Sequence, residues 1–225
     1  MKQVILSCCL FLMTWMVNGQ TSFTIQTGAY GNTLSGGFEN ASAIPDWNMS
    51  AGVSLDHSRG KVFGWMVGFN MFNKSFQFDY PTAGQSELNE GYVVRAHELQ
   101  SAVLMRLGRH INLSIGPYLQ INSRNIISGV IDSTIYFPSL PKDLYNSVEF
   151  GYQGKLQLQF YLGERFYWGL YANAGASLTD LRTQAWEEAR AIINGSQETW
   201  ESDPLKNVFQ HYGACIGLRG KQKQR

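Results

Sequence analysis

Residues 47–56, with the sequence WNMSAGVSLD, alternate between apolar side chains and polar or small ones. Because successive side chains of a β-strand point to opposite faces, this alternation predicts a strand with one apolar and one polar face. The same two-residue period recurs along the chain. It predicts eight strands, at 22–30, 47–56, 61–72, 92–107, 111–122, 148–161, 165–178 and 207–219.

The connections between the predicted strands alternate in length. Tight turns are predicted at 57–60, 108–110 and 162–164, and long connections at 31–46, 73–91, 123–147 and 179–206. Outer-membrane barrels combine short periplasmic turns with long extracellular loops. The sequence therefore predicts an all-β, eight-stranded, antiparallel, up-and-down transmembrane β-barrel with both termini in the periplasm.

The composition of the two strand faces predicts which of them points outward. A soluble lipocalin-like barrel also alternates, but its outer face would carry many charges, whereas the polar face here is mostly Gly, Ser, Asn, Gln and Tyr. Large aromatic residues cluster near strand ends, as in the girdles of membrane barrels. They are Phe63, Trp65, Phe160, Phe166 and Trp168 near the periplasmic ends, and Tyr30, Trp47, Tyr92 and Phe150 near the outer ends.

Residues 1–19 have the pattern of an export signal. Lys2 precedes a mostly apolar run over residues 4–17, and the run is followed by Asn18 and Gly19. Such a run is shorter than the ~20 residues of a spanning helix and fits a secretory signal peptide. We expect cleavage after Gly19, a barrel domain over 20–225 and localisation in a bacterial outer membrane.

Charge and cysteine content exclude several classes of protein. Without Lys2, the 18 basic residues become 17, equal to the 17 acidic ones, so the basic footprint of a nucleic-acid-binding protein is absent. Cys215 is the only cysteine after residue 19, so an intramolecular disulfide is excluded. No histidine or cysteine spacing indicates a metal site or a cofactor.

The leader, the dyad repeats and the alternating loop lengths resemble the small eight-stranded outer-membrane β-barrel domain family of Gram-negative bacteria, with OmpA/OmpX-type architecture. Within it, the chain is similar to the stand-alone outer membrane protein β-barrel domain proteins, some of which assist protein secretion. The resemblance covers residues 20–225 and implies a porin-like protein of the cell envelope. One departure is the basic tail 221–225, which follows the last strand where the family commonly ends on an aromatic residue.

The parity of the strands places several ionisable side chains in the lumen, which in an eight-stranded barrel is just wide enough for side chains to fill. They are Glu98, Arg106, Glu149, Lys155, His211 and Arg219. We interpret them as a charge network that plugs the lumen. The alternative is a narrow pore for ions or small solutes, with water beside the inward glycines, which are Gly64, Gly68, Gly151, Gly169, Gly175, Gly213 and Gly217.

An enzyme that hydrolyses envelope lipids or peptides is a second alternative. It needs a nucleophile and a base within hydrogen-bond reach. His97 and Ser101 share a strand face, but four residues at ~3.3 Å each separate them by about 13 Å. His57 and His110 are predicted to be solvated residues near turns. The sequence therefore favours a non-catalytic protein.

The outer connections supply the candidate binding residues. Asp180 can cap a helix over 181–193, and Trp186 and Trp200 are candidate anchors for a protein partner from the envelope or a secretion system. Lys74 and Arg95 are predicted at the outer rim, where they would contact lipopolysaccharide phosphates. The favoured function is a membrane-embedded scaffold whose extracellular loops bind a partner.

Overall fold

The computed structural model describes residues 20–35, 42–58, 62–81, 87–131, 146–181, 183, 204 and 206–220. All eight predicted strands are confirmed. They are β1 (Gln20–Ser35), β2 (Ser42–Ser58), β3 (Phe63–Pro81), β4 (Glu87–Leu107), β5 (Ile111–Ile131), β6 (Val148–Leu162), β7 (Phe166–Ser177) and β8 (Lys206–Arg219). Among the described residues there is no helix with the length and hydropathy that a membrane span requires. The predicted signal peptide, residues 1–19, lies outside the described residues.

The eight strands form one closed barrel in chain order, and β1 pairs with both β2 and β8. Every neighbouring pair is antiparallel, which confirms the predicted up-and-down architecture of the small eight-stranded barrels. Because the sheet closes on itself, none of the eight strands is an edge strand where neighbouring strands pair.

Two short turns lie at the same end of the barrel as the beginning of β1 and the end of β8, and we call this end the turn end. Gly108 and Gly163 occupy these turns with φ of 72° and 77°, a left-handed backbone that glycine adopts without a steric penalty. The predicted turn at 108–110 is confirmed, and that at 162–164 lies one residue later, at 163–165. The third predicted turn, 57–60, falls partly outside the described residues. The opposite end is the loop end.

The strands tilt strongly relative to the barrel axis. Following paired residues from Gln20 once around the barrel leads back to β1 at Tyr30, ten residues nearer the loop end. Closing eight strands into a cylinder requires such a stagger. Side chains at one height in the lumen therefore come from different positions along their strands.

Five strands continue by at least five residues into regions where long connections were predicted. In the first of these regions, 31–46, β1 reaches Ser35 and β2 begins at Ser42. Asn73 to Pro81 of β3 pair with Arg95 to Glu87 of β4, and Ile126 to Ile131 of β5 pair with Val93 to Leu88 of β4. In β3 the apolar positions change parity, from Val67, Phe69 and Met71 to Phe76, Phe78 and Tyr80, so the regular alternation is broken between them. Backbone pairing continues through these segments. The predicted strands therefore ended too early at 30, 72 and 122 and began too late at 47 and 92.

The outer surface of the barrel is apolar and its interior polar. On β6 and β7 exposed and buried residues alternate along almost the whole strand. Met49 is 76% exposed and Ile115 67% exposed, whereas Gln120 and Glu149 are fully buried in the lumen. This is the inverse of a water-soluble barrel, and a surface of this kind needs an apolar environment.

Most of the predicted aromatic girdle lies on this outer surface. Phe63, Phe160, Phe166 and Trp168 are exposed near the turn end, and Trp47 and Phe150 nearer the loop end. Phe160 and Trp168 stack with ring centroids 4.5 Å apart. Tyr30 was wrongly predicted to belong to the girdle, because its side chain is fully buried in the lumen. The side chain of Tyr92 lies outside the described part of the chain.

Candidate functional site in the barrel lumen

All six ionisable residues predicted to face the lumen have inward side chains. Glu98, Arg106, Glu149, Lys155 and His211 are buried, and Arg219 is partly buried at the turn end. They do not form one network. Instead, their contacts divide the lumen into layers at different heights along the barrel axis.

The layer nearest the loop end is organised by Glu149. Lys74 of β3 forms an ion pair with its Oε2. Tyr118 Oη donates a hydrogen bond to Oε1 over 2.8 Å, and Asn207 Nδ2 donates to the same oxygen over 3.1 Å. The carboxylate is therefore compensated by one cation and two neutral donors from three other strands.

The predicted position of Lys74 at the outer rim was wrong, since its side chain is 1% exposed and points into the lumen. It has the same parity as Asn70 and Phe72, which also point inward. The predicted strand ends at residue 72, whereas β3 continues to Pro81 and keeps Lys74 on its inward face. A buried lysine paired in this way does not contact lipopolysaccharide. Arg95, in contrast, is exposed on the outer surface.

An aromatic layer lies next to Glu149 on the side of the turn end. It consists of Tyr30, Phe72, Tyr118 and Phe209, which come from four different strands. Tyr30 stacks on Phe72 with ring centroids 3.8 Å apart and on Phe209 at 5.3 Å, and Tyr118 meets Phe209 edge to face at 5.4 Å. Contiguous rings thus reach across the lumen.

A chain of side-chain amides connects two opposite charges in the middle of the lumen. Lys155 Nζ donates to Gln26 Oε1, Gln26 Nε2 donates to Asn70 Oδ1, and Asn70 Nδ2 donates to Glu98 Oε1 over 2.9 Å. Gln120 Nε2 donates to the other oxygen of Glu98 over 2.7 Å. Each amide turns its oxygen to the cation and its NH₂ group to the anion, so this amide chain stabilises both charges without direct contact.

The inward glycines accommodate large side chains from neighbouring strands. A Cβ atom at Gly175 would lie 2.6 Å from Phe209 Cε1, one at Gly151 2.6 Å from Tyr118 Oη, and one at Gly217 2.7 Å from Tyr167 Cε1. Glycine was predicted to leave room for water at these positions. The space is instead occupied by aromatic rings, two of which belong to the aromatic layer.

A serine–histidine pair that sequence reasoning missed lies in the middle of the lumen. Ser50 Oγ of β2 and Tyr171 Oη of β7 both contact His211 Nε2 of β8. Ser50 Oγ also donates a hydrogen bond to the carbonyl oxygen of Gly28 over 3.0 Å. All three side chains are at most 4% exposed. The pair lacks the access that a catalytic nucleophile needs for its substrate.

The other histidines differ from each other in their surroundings. His97 stacks against Phe69 on the outer surface, with ring centroids 6.1 Å apart, and Ser101 is exposed on the same side. His57 was predicted to be solvated but is fully buried, with Nδ1 3.0 Å from Thr21 Oγ1. Its ring lies beside that of Trp65, with ring centroids 5.5 Å apart. His110 is exposed, as predicted, in the turn before β5.

The loop candidates Trp186 and Trp200 lie outside the described residues, as does the predicted helix at 181–193 apart from Leu181 and Thr183. The basic tail 221–225 does so as well. Within the described ranges, no group of three or more His, Cys, Asp or Glu side chains is arranged to hold a metal ion.

No protein-family model and no curated protein sequence matches this chain. Its structure is similar to that of Ail, the attachment invasion locus protein of Yersinia pestis, in complex with the heparin analogue sucrose octasulfate. Identity is 10%, the match covers 90% of this chain and 99% of Ail, and the TM-score is 0.44.

It is also similar to the outer membrane protein OprG from Pseudomonas aeruginosa, at 12% identity, 88% and 95% coverage and a TM-score of 0.41. For the Neisserial surface protein A, the corresponding values are 8%, 86%, 96% and 0.37. Because every TM-score is below 0.5, neither the ligand nor the role of these proteins is transferred to this chain.

Proposed function

We propose that this protein is an integral outer-membrane protein with a non-catalytic interaction role. The barrel anchors the chain in the membrane, its lumen is closed to solutes, and the strands and loops at the loop end bind a partner outside the cell. The partner is another envelope or secretion component, with lipopolysaccharide around the barrel.

The distribution of polarity supports the membrane location. The outer surface exposes apolar side chains on every strand, and the polar side chains point into the lumen. All backbone groups of a closed barrel pair between strands, which is the condition for crossing a bilayer. The two short turns at one end and the longer connections at the other fit a periplasmic turn end and an extracellular loop end.

The packing of the lumen supports closure. The aromatic layer spans the interior, and Glu149 with Lys74, Tyr118 and Asn207 lies directly beside it. A solute passing through would have to displace aromatic rings and a buried ion pair together. A closed lumen argues against transport as the main role and favours the loop end as the functional part of the molecule.

The observation that carries the proposal is that the strands differ in how far they extend toward the loop end. Strands β3, β4 and β5 have 19, 21 and 21 residues, whereas β7 has 12. A membrane strand needs about 9–11 residues, so β3, β4 and β5 project as a sheet beyond the membrane. Asn122 still donates hydrogen bonds to Ser147 and Asn146, and above it β5 continues to Ile131 against β4 alone among the described residues. A strand edge of this kind can pair with an added strand.

Crosslinking with mass spectrometry on intact cells tests the proposal, after outer-membrane fractionation. We expect crosslinks from residues 76–91 or from the fourth connection to a protein partner. A variant in which a tight turn replaces residues 76–91 should remain a heat-modifiable barrel and lose that partner. A variant lacking residues 183–200 measures the contribution of the fourth connection. Partner binding retained by both shortened variants would exclude the loop end as the binding surface.

A narrow pore is the alternative that the polar lining of the lumen favours. Planar bilayer recording separates the two functions. The scaffold function predicts no steady current from the purified protein. A current that changes when Glu149 is replaced by glutamine, or Lys155 by methionine, would support the pore instead.

A further inference from the structure

The charged side chains of the lumen fall into two groups. Lys74, Glu98, Glu149 and Lys155 have hydrogen-bonding partners in the loop-end and middle layers. Three others, at the turn end, each carry a buried atom with no partner among the described residues. These atoms are Asp56 Oδ1, Arg106 Nε and Arg219 Nε. Neutral buried atoms without a partner occur along the whole described lumen, but those of charged side chains lie only at this end. Because unpaired buried polar atoms are costly, this grouping of charged side chains indicates a polar occupant between them.

The three residues converge on Ser22. Asp56 lies opposite Ser22 on β2, and Arg219 lies opposite it on β8. Arg106 reaches the same point from β4 across the lumen, with Nη2 3.5 Å from Ser22 Oγ and Nη1 3.1 Å from Gln20 Oε1. Two guanidinium groups from opposite walls therefore face one small region of the lumen.

Neutral polar atoms around this region also lack partners. Ser54 Oγ and Ser58 Oγ of β2 and Asn112 Nδ2 of β5 are buried there and make no hydrogen bond within the described chain. Each has the donor or acceptor capacity to bind water or an anion. Ordered water is the usual partner of such atoms in buried polar sites.

The charge at the turn end is predominantly positive. Its described charged residues are Arg106, Arg109, Arg165 and Arg219 against Asp56 and Glu164. Arg109 and Arg219 lie against the ring of Tyr161, with their guanidinium carbons 4.7 and 5.1 Å from its centroid. A cleft lined by one sign of charge concentrates ions of the opposite sign.

We propose that the turn end of the lumen is a hydrated, blind chamber that takes up a small oxyanion between Arg106 and Arg219. Guanidinium groups suit oxyanions because their N–H donors match two oxygens at once. The chamber opens at the turn end and is closed toward the loop end by the amide chain and the aromatic layer. Asp56 places one negative charge beside the two arginines. Its repulsion weakens the binding of the anion, which can therefore exchange with the solution.

Cys215 is a natural reporter for this chamber. It points into the lumen, opposite Gln26 of β1 and four residues from Arg219 along β8. Its Sγ accepts a hydrogen bond from Gln157 Nε2 over 3.1 Å. Because it is the only cysteine in residues 20–225, its modification is read directly from one peptide by mass spectrometry.

The experiment compares two methanethiosulfonate reagents, the anionic sulfonatoethyl and the cationic trimethylammonium-ethyl form. The protein is held in phosphatidylcholine nanodiscs, which contain no anionic lipid headgroups, and each rate is divided by the rate for the urea-unfolded chain. We expect the anionic reagent to react about tenfold faster, near the lower limit of electrostatic enrichment in charged clefts. Inorganic phosphate should slow the reaction of the anionic reagent with Cys215 more than sodium chloride of equal ionic strength does.

Two variants test which residues cause the faster reaction of the anionic reagent. Replacing Arg106 and Arg219 together by glutamine should reduce the rate ratio to about one, since the focused positive charge is lost. Arg109→Gln removes the same charge from an exposed position at the same end and should leave most of the preference. Heat modifiability on gels confirms that each variant is folded.

Three results would overturn the proposal. If folded protein reacts with neither reagent while unfolded protein reacts with both, the chamber is not open to solutes. Equal normalised rates for the two reagents would exclude an anion preference. A preference that survives the double replacement of Arg106 and Arg219 would exclude these residues as its source.

Discussion

Lys74 and Glu149 are 75 residues apart in the sequence, yet they form an ion pair inside the barrel. The pair joins β3 to β6 across the lumen, and both side chains are almost fully buried. An ion pair of this kind contributes little net stability compared with apolar packing, but breaking it by removing one partner is strongly destabilising.

Replacing Lys74 by methionine should therefore lower the free energy of unfolding by about 3–5 kcal/mol, because the Glu149 carboxylate loses its cation. Adding Glu149→Gln should recover part of this loss, since a neutral amide oxygen still accepts from Tyr118 and Asn207. Urea unfolding followed by gel mobility measures both effects. Arg95→Met, which removes an exposed cation, is the control. A double variant no more stable than Lys74→Met would contradict the compensation described for Glu149.

Removing a ring from the aromatic layer should open the lumen. Phe209→Ala is expected to cost about 3–5 kcal/mol of stability, as for other large-to-small core changes. It should also produce single-channel currents, whereas the proposed function predicts none from the unaltered protein. Phe160→Ala, at the exposed stacked pair on the outer surface, should produce none. If Phe209→Ala and Phe72→Ala both remain silent in planar bilayers while folded, the aromatic layer does not close the lumen.

Gly175→Ala should destabilise the barrel because the added Cβ would lie 2.6 Å from Phe209 Cε1. Overpacking of this kind typically costs about 1–3 kcal/mol. Combining it with Phe209→Leu should restore part of the loss, since leucine lacks the atoms that clash. Gly154→Ala is the matched control on β6, where the atom nearest to an added Cβ would be the carbonyl oxygen of Ser114 at 3.9 Å. Equal effects of the two glycine substitutions would refute the explanation.

Gln26→Leu should interrupt the amide chain at its centre. Lys155 Nζ would lose its acceptor and Asn70 Oδ1 its donor, and we expect a loss of about 1–3 kcal/mol for the unsatisfied buried groups. Gln210→Leu, a glutamine on the outer surface of β8, is the control and should have little effect. A double-mutant cycle with Asn70→Leu should show coupling between the two positions; strict additivity would mean that the amides act independently.

Period-two alternation predicted the eight strands and the inward direction of Glu98, Glu149 and Lys155, because the direction of a strand side chain depends only on local backbone geometry. It failed for Lys74 and for the upper parts of β3, β4 and β5. In β3, for example, the apolar positions change parity between Met71 and Phe76, so the alternation does not mark one continuous strand. Tyr30 was misplaced for a related reason: tyrosine suits a membrane interface and a polar lumen equally well.

The sequence by itself thus determined the number of strands, the face that each presents and the end at which the turns lie. Only the tertiary structure decided which inward side chains meet. The ten-residue stagger from Gln20 to Tyr30 brings together residues from unrelated positions along their strands. It places Ser50 beside His211 and Gln26 between Lys155 and Asn70. These contacts follow from the closure of the whole barrel, which no local pattern in the chain encodes.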